Sequence, residues 1–478
     1  MSELLTIAFS LYLLVAAIYL LLQNRSPQST LAWMLALLVA PGLGLLAYLL
    51  FGRERKAFSR QSRLLRQELG APARPLLTPL IERQEADIAR LERRSETHRK
   101  LMLLVRRNSQ SVLTTDNAVE ILQDASRFYP CLMRDLEAAR RSIHLQYFIW
   151  RSDDFTEVLG ALLAAKARQG VEVRLLYDPI GSGLSGRYRQ RLREAGVQVA
   201  PTSPHYHLHT VSYRNHRKIT VIDGSIGYTG GMNIGAEHLT GGKGFSAWRD
   251  TQLRIVGEGA AVLQAVFAVD WYNAVRENLF APAYFPQPAV QAAAGGVPLQ
   301  ILTSGPDSRW AAIRQLYFFM IVSAQRHVYL QSPYFVLDPT IAEALTSAAL
   351  AGVDVRVMLS ERPSGNPLPA WAGNTYMTEA ARAGVKVFLY RRGYLHAKTL
   401  SIDSAICSIG SANLDIRSFS INYELNAVLY SEAHAQELER DFERDLAFCE
   451  PFDPGGYARR PPALRLRDSV ARLLAPLL

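Results

Sequence analysis

"HRKITVIDGSIGYTGGMN" (residues 216–233) and "HAKTLSIDSAICSIGSAN" (residues 396–413) decide the fold of this chain. Both read His, any residue, Lys, four residues, Asp, six residues, Gly, a small residue, any residue, Asn. Only 10 histidines occur in the 478 residues. The His-to-Asp part of the pattern is expected by chance about 0.006 times in such a chain. Two complete copies therefore indicate an internal repeat.

The residues before each motif repeat as well. "IHLQYFIW" (143–150) and "VEVRLLYD" (171–178) have the short, apolar, β-branched character of strands, with a helical pattern between them. "VYLQSPYFV" (328–336) and "GVDVRVML" (352–359) keep the same order in the second half. A βαβαβ order predicts an α/β fold whose mixed, mainly parallel sheet is flanked by helices. The sequence thus predicts two tandem halves related by duplication.

Two uncharged runs precede this region, at residues 4–23 and 31–51. Each has the length of about 20 residues that a helix needs to cross a bilayer. A single span followed by a buried or re-entrant helix is the alternative, because Pro41, Gly42 and Gly44 weaken the second run. Basic residues crowd the segment after the second run, while the loop between the runs holds only Arg25. This bias predicts that the chain from residue 52 onward faces the cytoplasm.

These patterns divide the chain into five predicted segments. They are a two-helix membrane hairpin (1–51), a basic helical connecting arm (52–112), the first half (113–290), the second half (291–450) and a basic amphipathic tail (451–478). A Pro/Ala/Gly-rich stretch at 285–298 marks the seam between the halves. The tail is expected either to pack on the enzyme or to lie on acidic lipid headgroups.

Net charge and cysteine content restrict the class of protein further. The formal charge of +10 and a pI of about 9.5 favour an anionic partner, either a nucleic acid or an acidic membrane surface. Three cysteines without CxxC spacing argue against a disulfide framework or a structural zinc site. "PHYHLH" places His205, His207 and His209 at alternate positions, but no acidic or cysteine cluster nearby supports a metal site.

The motif residues suit chemistry at a phosphodiester. Side chains two apart on a strand share a face, so His216 and Lys218 should project together, as should His396 and Lys398. Two ammonium groups can stabilise the charge of a transferring phosphoryl group. One neutral imidazole can attack phosphorus, and the other, protonated, can supply a proton to the leaving alkoxide.

With these motifs, the chain resembles the phospholipase D superfamily, and most closely the bacterial cardiolipin synthases with two membrane spans. The resemblance also includes "WRDTQLRIVG" and the N-terminal hairpin, and it extends over nearly the whole chain. It implies that the halves meet about a pseudo-twofold axis and build one active site. It further implies transfer between two phosphatidylglycerol molecules through a phosphatidyl-histidine. No metal, cofactor or nucleic-acid partner is expected, and the implied location is the bacterial inner membrane.

The resemblance assigns roles to individual residues. His216 is the expected nucleophile and His396 the acid/base, although the pseudo-symmetry leaves the reverse assignment open. Asp223 and Asp403 complete the motifs and are expected to anchor one half to the other. The predicted site contains the motif residues His216, Lys218, Asp223, His396, Lys398 and Asp403, the phosphate-binding Asn233 and Asn413, and the histidine-orienting Glu424 and Asp250.

Other functions stay open at this stage. A hydrolase would use the same residues with water as the acceptor, and no residue in the sequence distinguishes it from a transferase. A membrane scaffold with a degenerate site is a third hypothesis, and the two intact motifs argue against it. The sequence leaves open whether phosphatidylethanolamine replaces one phosphatidylglycerol, and it leaves the oligomeric state unknown.

Overall fold

The structure is a computed structural model that describes residues 2–23, 27–52, 76–91, 95–203, 213–242, 244–286 and 296–474. Several sequence predictions concern residues outside these ranges. They are the loop residue Arg25, most of the basic arm (53–75 and 92–94), the histidines His205, His207 and His209, the centre of the Pro/Ala/Gly-rich seam (287–295) and the end of the tail (475–478).

Three helices form the apolar N-terminal region: α1 (Ser2–Leu22), α2 (Pro27–Val39) and α3 (Pro41–Phe51). The predicted second span is therefore not continuous. Ala40 leaves the helical region (φ −136°, ψ 71°), because a residue that precedes proline is sterically pushed out of it. Among the residues that the structure describes, no helix combines the length and the hydropathy required to cross a bilayer.

A helix at 76–91 (α4) and α5 (Glu96–Ser109) lead into the first half. Its helices are α6 (Asp124–Ala138), α7 (Asp154–Arg168), α8 (Gly186–Glu194), α9 (Glu237–Thr240) and α10 (Glu258–Val275). The strands from the start of this region are β1 (Leu113–Thr114), β2 (Asn117–Gln123), β3 (Ser142–Tyr147), β4 (Glu172–Tyr177), β5 (Gln198–Pro201), β6 (Ile219–Ile222), β7 (Ile226–Gly230), β8 (Trp248–Arg249) and β9 (Thr251–Gly257).

The second half repeats this order. Its strands are β10 (Leu299–Ser304), β11 (His327–Ser332), β12 (Phe335–Val336), β13 (Asp354–Ser360), β14 (Lys386–Tyr390), β15 (Tyr394–Leu395), β16 (Thr399–Ile402), β17 (Ile406–Gly410), β18 (Leu414–Asp415), β19 (Glu424–Leu429) and β20 (Cys449–Pro451). The helices are α11 (Ala312–Ser323), α12 (Pro339–Leu350), α13 (Leu368–Arg382), α14 (Ile416–Ser420), α15 (Glu432–Leu446), α16 (Pro454–Ala458) and α17 (Pro462–Leu473).

Local sequence signals set several of these boundaries. α7 begins at a capping box, in which the Asp153 carboxylate accepts the Thr156 N–H at 3.0 Å and the Thr156 hydroxyl accepts the Asp153 N–H at 2.9 Å. The chain leaves the same helix through Gly170 at φ +90°, a conformation that glycine adopts at no steric cost. The predicted helix between two strands therefore has both of its ends encoded locally.

Each half contains one mixed sheet, with the order β2-β9-β7-β6-β3-β4-β5 in the first half and β1-β10-β19-β17-β16-β11-β13-β14-β20 in the second. The prediction of mixed sheets is confirmed, but the prediction that they are mainly parallel is wrong, because most neighbouring strands in both sheets pair antiparallel. Among the described strands of these two sheets, parallel pairing is confined to β3-β4-β5 and β11-β13-β14. Two short parallel pairs, β12-β18 and β8-β15, lie outside them, and the second joins the two halves. β6 and β7 pair antiparallel because a short turn joins them, as it does β16 and β17. β1, which the sequence places in the first half, pairs with β10 of the second.

A shared core joins the halves. Ile219 and Leu253 of the first sheet belong to the same buried cluster as Ile301, Ile409 and Leu425 of the second. Burying an aliphatic side chain of this size stabilises the folded state by about 1.5–3 kcal/mol, so the cluster fixes one sheet against the other. The strands that carry the two motifs, β6 and β16, are thereby held in a defined relation.

Candidate active site

The two motif histidines lie where the two halves contact each other. Residues 216–218 and 396–398 precede β6 and β16 rather than belonging to them, so the expectation that they lie on the strands is corrected. The backbone N–H of His216 donates to the Tyr423 carbonyl at 2.9 Å, and that of His396 donates to the Arg249 carbonyl at 2.7 Å. These segments leave their own sheets because their hydrogen-bond partners belong to the opposite half.

Each histidine is paired with a carboxylate from the other half. His216 Nδ1 lies 3.0 Å from both carboxylate oxygens of Glu424, and His396 Nδ1 lies 2.6 Å from Asp250 Oδ2. All four side chains are buried. A carboxylate on Nδ1 fixes the tautomer that carries its proton there, which leaves Nε2 of each ring as the reactive nitrogen.

Both lysines are fully buried beside the histidines. Lys218 Nζ donates to the His216 carbonyl at 2.6 Å, and Lys398 Nζ donates to the His396 carbonyl. Burial lowers the pKa of Lys218 to about 7 and that of Lys398 to about 8, with partial compensation from the nearby carboxylates. A bound phosphate would favour the charged forms and raise both values.

The two histidine–carboxylate pairs differ electrostatically. Burial lowers the pKa of His216, while the Glu424 charge opposes that shift. The pKa of His396 lies well below its ordinary value because of burial and the charges of Lys398 and Lys218. Burial alone would raise the pKa of Glu424, but His216 and Lys218 outweigh it and the pKa is lowered, whereas burial raises the pKa of Asp250. Glu424 is therefore the more firmly ionised of the two acids.

Asn233 and Asn413 line the same cavity as the two histidines. Asn233 Oδ1 accepts the Ile149 N–H at 3.1 Å. Within the described part of the chain, Asn233 Nδ2 and Asn413 Oδ1 are buried without a hydrogen-bond partner. Unpaired buried amide groups are costly unless a ligand completes them. Asn233 Nδ2 is a donor and suits a phosphate oxygen, whereas Asn413 Oδ1 is an acceptor and suits a donor such as a substrate hydroxyl.

Asp223 and Asp403 lie at the opposite end of their strands from the histidines. Asp223 accepts the backbone N–H groups of Arg140, Arg141 and Ser142 at 2.7–2.9 Å. Asp403 accepts those of residues 325–327 in the same way. The expectation that they link the two halves is wrong, because each holds the start of a neighbouring strand within its own half.

The small residue of the motif differs between the halves for a steric reason. Ser411 Oγ donates to Glu424 Oε2 and accepts the Leu425 N–H at 2.9 Å. At Gly231 a Cβ atom would lie 2.1 Å from Asp250 Oδ1. The first half therefore has room for the carboxylate only because position 231 has no side chain.

Replacing Gly231 with alanine is expected to lower kcat by about 10²-fold, because it displaces the carboxylate that orients His396. Ser411→Ala removes one hydrogen bond to Glu424 and leaves the space intact, so a loss of about tenfold is expected. Steady-state kinetics of both variants, with melting curves to verify folding, tests this. An alanine at 231 that left kcat unchanged would contradict the steric argument.

The histidines open into a cavity of about 320 Å³ between the halves. The two ends of the cavity are lined by different kinds of side chain. Arg214 and Arg417 line it on the His216 side, whereas the rings of Trp248 and Tyr394 lie 5.3 and 5.7 Å from the ring of His396. None of these four residues was predicted from the sequence as a site residue. Arg214 and Tyr394 could have been found, since each stands two residues before a motif histidine.

The comparisons with known proteins agree with this architecture. The family described as "Cardiolipin synthase, PLD-like domain" matches residues 132–256 and 317–446, and the phospholipase D-nuclease N-terminal family matches residues 11–53. The crystal structure of phosphatidylserine synthase from Haemophilus influenzae covers 79% of this chain and all of its own at 13% identity, with a TM-score of 0.60. That similarity shows the fold alone.

Two curated relatives are similar over their full lengths. The cardiolipin synthase of Geobacillus kaustophilus is 39% identical over 99% of this chain and 93% of its own. The major cardiolipin synthase of Bacillus subtilis is 36% identical over 100% of this chain and 99% of its own. The predicted resemblance and the two tandem halves are thereby confirmed. The chain belongs to the cardiolipin synthase family of phospholipase D-like enzymes.

Proposed function

We propose that this chain joins two phosphatidylglycerol molecules into cardiolipin and releases glycerol. The observation that carries the proposal is the pair of buried histidines, each held by a carboxylate of the opposite half, beside two buried lysines in one cavity. A single phosphodiester placed between the histidines would meet a nucleophile on one side and a proton donor on the other. Full-length cardiolipin synthase relatives support the choice of substrate.

In the first step, His216 Nε2 attacks phosphorus and the bond from phosphorus to the glycerol oxygen breaks. His396, protonated when the anionic phosphate is bound, gives its proton to the leaving alkoxide. Glu424 supports His216 as the nucleophile, because an anionic partner on Nδ1–H increases the basicity of Nε2. Lys218, Lys398, Asn233 and Asn413 are proposed to hold the phosphate oxygens.

In the second step, the terminal hydroxyl of another phosphatidylglycerol gives its proton to His396. Its oxygen attacks phosphorus, and the bond to His216 Nε2 breaks. The protons balance over the cycle, since the proton that His396 gives to glycerol returns from the acceptor. Neither step requires a metal ion.

The direct test is incubation of the detergent-solubilised chain with phosphatidylglycerol alone in the presence of EDTA. Cardiolipin with one glycerol released per product is the expected result. Phosphatidic acid with glycerol would show that water is the acceptor, and the hydrolase alternative would then replace the proposal. A variant with both motif histidines replaced is the control for contaminating activity.

The lysine pKa values predict how the reaction depends on pH. Because burial lowers these values to about 7 and 8, the free enzyme loses both positive charges as the pH rises through this range. We expect kcat/KM for phosphatidylglycerol to fall above pH 7–8, with kcat falling at higher pH because bound phosphate raises the pKa of both lysines. A kcat/KM that stays level to pH 9.5 would contradict this assignment.

We further infer that the chain works at the bacterial cytoplasmic membrane, with the catalytic halves on the cytoplasmic side. The N-terminal helices expose large apolar side chains such as Leu4, Leu22 and Leu43, each more than 70% accessible. Apolar surface of this extent suits lipid rather than water. The basic residues that follow these helices in the sequence support the same placement.

The C-terminal helix α17 is proposed to touch the same surface. Its buried side packs on the enzyme, where Asn374 donates to Asp468 at 3.0 Å. Leu466, Val470 and Leu473 share the opposite face and are 49–79% exposed. Both alternatives for the tail can hold for this helix, because one face packs on the enzyme and the other is available to lipid.

Replacing both Leu466 and Leu473 with glutamate is expected to raise the apparent KM for phosphatidylglycerol in mixed micelles by about tenfold without changing kcat. Leu350→Glu is the matched control and should leave KM unchanged, because this leucine at the end of α12 is 72% exposed but lies on a different helix. Kinetics at fixed bulk and varied surface concentration of lipid measure the effect. An unchanged KM in the double variant would refute contact between α17 and the lipid surface.

A further inference from the structure

The active-site cavity is symmetric at the reacting centre and asymmetric beside it. The histidines, lysines and asparagines of the motifs occur once in each half. Two residues before the histidine, however, Arg214 in the first half corresponds to Tyr394 in the second. Four residues after the asparagine, Glu237 corresponds to Arg417. All four side chains line the cavity.

The two arginines lie together on the His216 side. The segment that carries Arg214 is hydrogen-bonded to the strand that carries Glu424, through the Tyr423 N–H and the Arg214 carbonyl at 2.8 Å. Arg417 donates to Asn422 Oδ1 at 3.5 Å and interacts electrostatically with Glu424. Both arginines line the same cavity as His216. Burial lowers the pKa of Arg214, the charge of Asp178 opposes that shift, and the charge of Arg417 adds to it.

An acidic side chain lies beside each of these arginines. Arg214 Nη1 lies 3.8 Å from Asp178 Oδ1, a long ion pair, and that oxygen also accepts the N–H groups of Ile180 and Gly181 at 2.9–3.0 Å. Asp415, beside Arg417, accepts the Ser418 N–H at 2.7 Å. Neighbouring cations inside a cavity are stabilised by a bound anion, and the planar guanidinium fork matches phosphate oxygens.

The other end of the cavity has the opposite character. Tyr394 donates to Tyr334 Oη at 3.3 Å, and Glu237 is ion-paired with Arg151 at 3.2 Å. A second anion would therefore be bound on the His216 side and not on the His396 side. The reaction needs such an asymmetry, because the donor phosphate reacts while the phosphate of the acceptor, three carbons from its hydroxyl, must be held without reacting.

We propose that Arg214 and Arg417 form a second phosphate subsite, which binds the phosphodiester of the acceptor lipid while the donor phosphate lies between the histidines. This inference rests on the proposed function and specifies its acceptor. The subsite selects an alcohol that carries a phosphodiester over water or a neutral alcohol. It also makes the two lipids unequal in a site that is otherwise nearly symmetric.

The test compares a soluble acceptor that carries a phosphodiester with one that does not. The full chain in detergent micelles receives phosphatidylglycerol as the donor and either labelled glycerol or glycerophosphoglycerol as a soluble acceptor. The kcat/KM ratio of the two acceptors is measured together with cardiolipin formation. In the unaltered chain we expect the phosphodiester acceptor to be favoured by at least about tenfold.

Arg214→Gln and Arg417→Gln are each expected to lower this ratio, and the cardiolipin yield relative to glycerol exchange, by about tenfold. Arg214→Lys and Arg417→Lys should keep part of the preference, because they retain the charge. Arg151→Gln, which also alters an arginine that lines the cavity, is the matched control and should keep the ratio within about twofold. Glycerol exchange in the same samples reports whether each variant is folded.

Equal ratios in the unaltered chain and both glutamine variants would overturn the proposal. So would a change confined to the soluble acceptor with cardiolipin formation unaffected, since the arginines would then bind free phosphate compounds only. If Arg214→Gln is inactive with every acceptor, the ratio in Arg417→Gln decides. Failure of the proposed function is separate, because the unaltered chain would then form no cardiolipin at all.

Discussion

Alanine at either His216 or His396 is expected to lower cardiolipin formation by at least about 10³-fold, because each removes a group that forms or breaks a bond to phosphorus or to hydrogen. Radiolabelled phosphatidylglycerol measures the loss. His434→Ala is the matched control, since this histidine binds the Val119 carbonyl away from the cavity and should keep activity within about twofold. Normal turnover by either active-site variant would contradict a single site built from both halves.

The two variants should differ with an activated substrate. In a phosphatidyl ester of p-nitrophenol the leaving group is nitrophenolate, which departs from phosphorus without receiving a proton. The His396→Ala enzyme should therefore still release about one equivalent of nitrophenolate in a burst. The His216→Ala enzyme should show no burst, because it lacks the nucleophile. The reverse pattern would exchange the two roles, and the absence of a burst from both would contradict a covalent intermediate.

The second large effect on activity is expected from replacing Glu424 or Asp250, the acids that orient the two histidines. Glu424→Gln and Asp250→Asn should each lower kcat by about 10²–10⁴-fold, since the neutral amide no longer fixes the tautomer and orientation of the ring it contacts. Both acids are positioning residues, because they act through a histidine. Kinetics with phosphatidylglycerol and burst measurements with the activated ester are the readouts.

The burst identifies which histidine each acid serves. Because Glu424 contacts His216 and Asp250 contacts His396, Glu424→Gln should lose the burst as His216→Ala does, and Asp250→Asn should keep it as His396→Ala does. Glu424→Asp, which preserves the charge, is expected to recover part of the activity. If Glu424→Gln instead behaved like His396→Ala, the pairing across the halves would be refuted.

Much of this protein is encoded locally. The spacing within each motif and the repeated strand patterns predicted two α/β halves and the residues of the candidate site, because such signals depend on neighbours within a few positions. The same signals led to the wrong prediction that the sheets are mainly parallel. The antiparallel pairing of β6 with β7 follows from the short turn at Asp223, which the sequence analysis assigned to contacts between the halves.

The duplication, the chemistry of the paired histidines and lysines, and the apolar N-terminal region can all be predicted from the amino-acid sequence alone. Only the tertiary structure decided that Glu424 serves the histidine of the first half and Asp250 that of the second. It alone brought Arg214 and Arg417 to one end of the cavity. The reason is physical: these contacts join residues about 150–210 positions apart, and packing of one sheet against the other creates them, which no local pattern encodes.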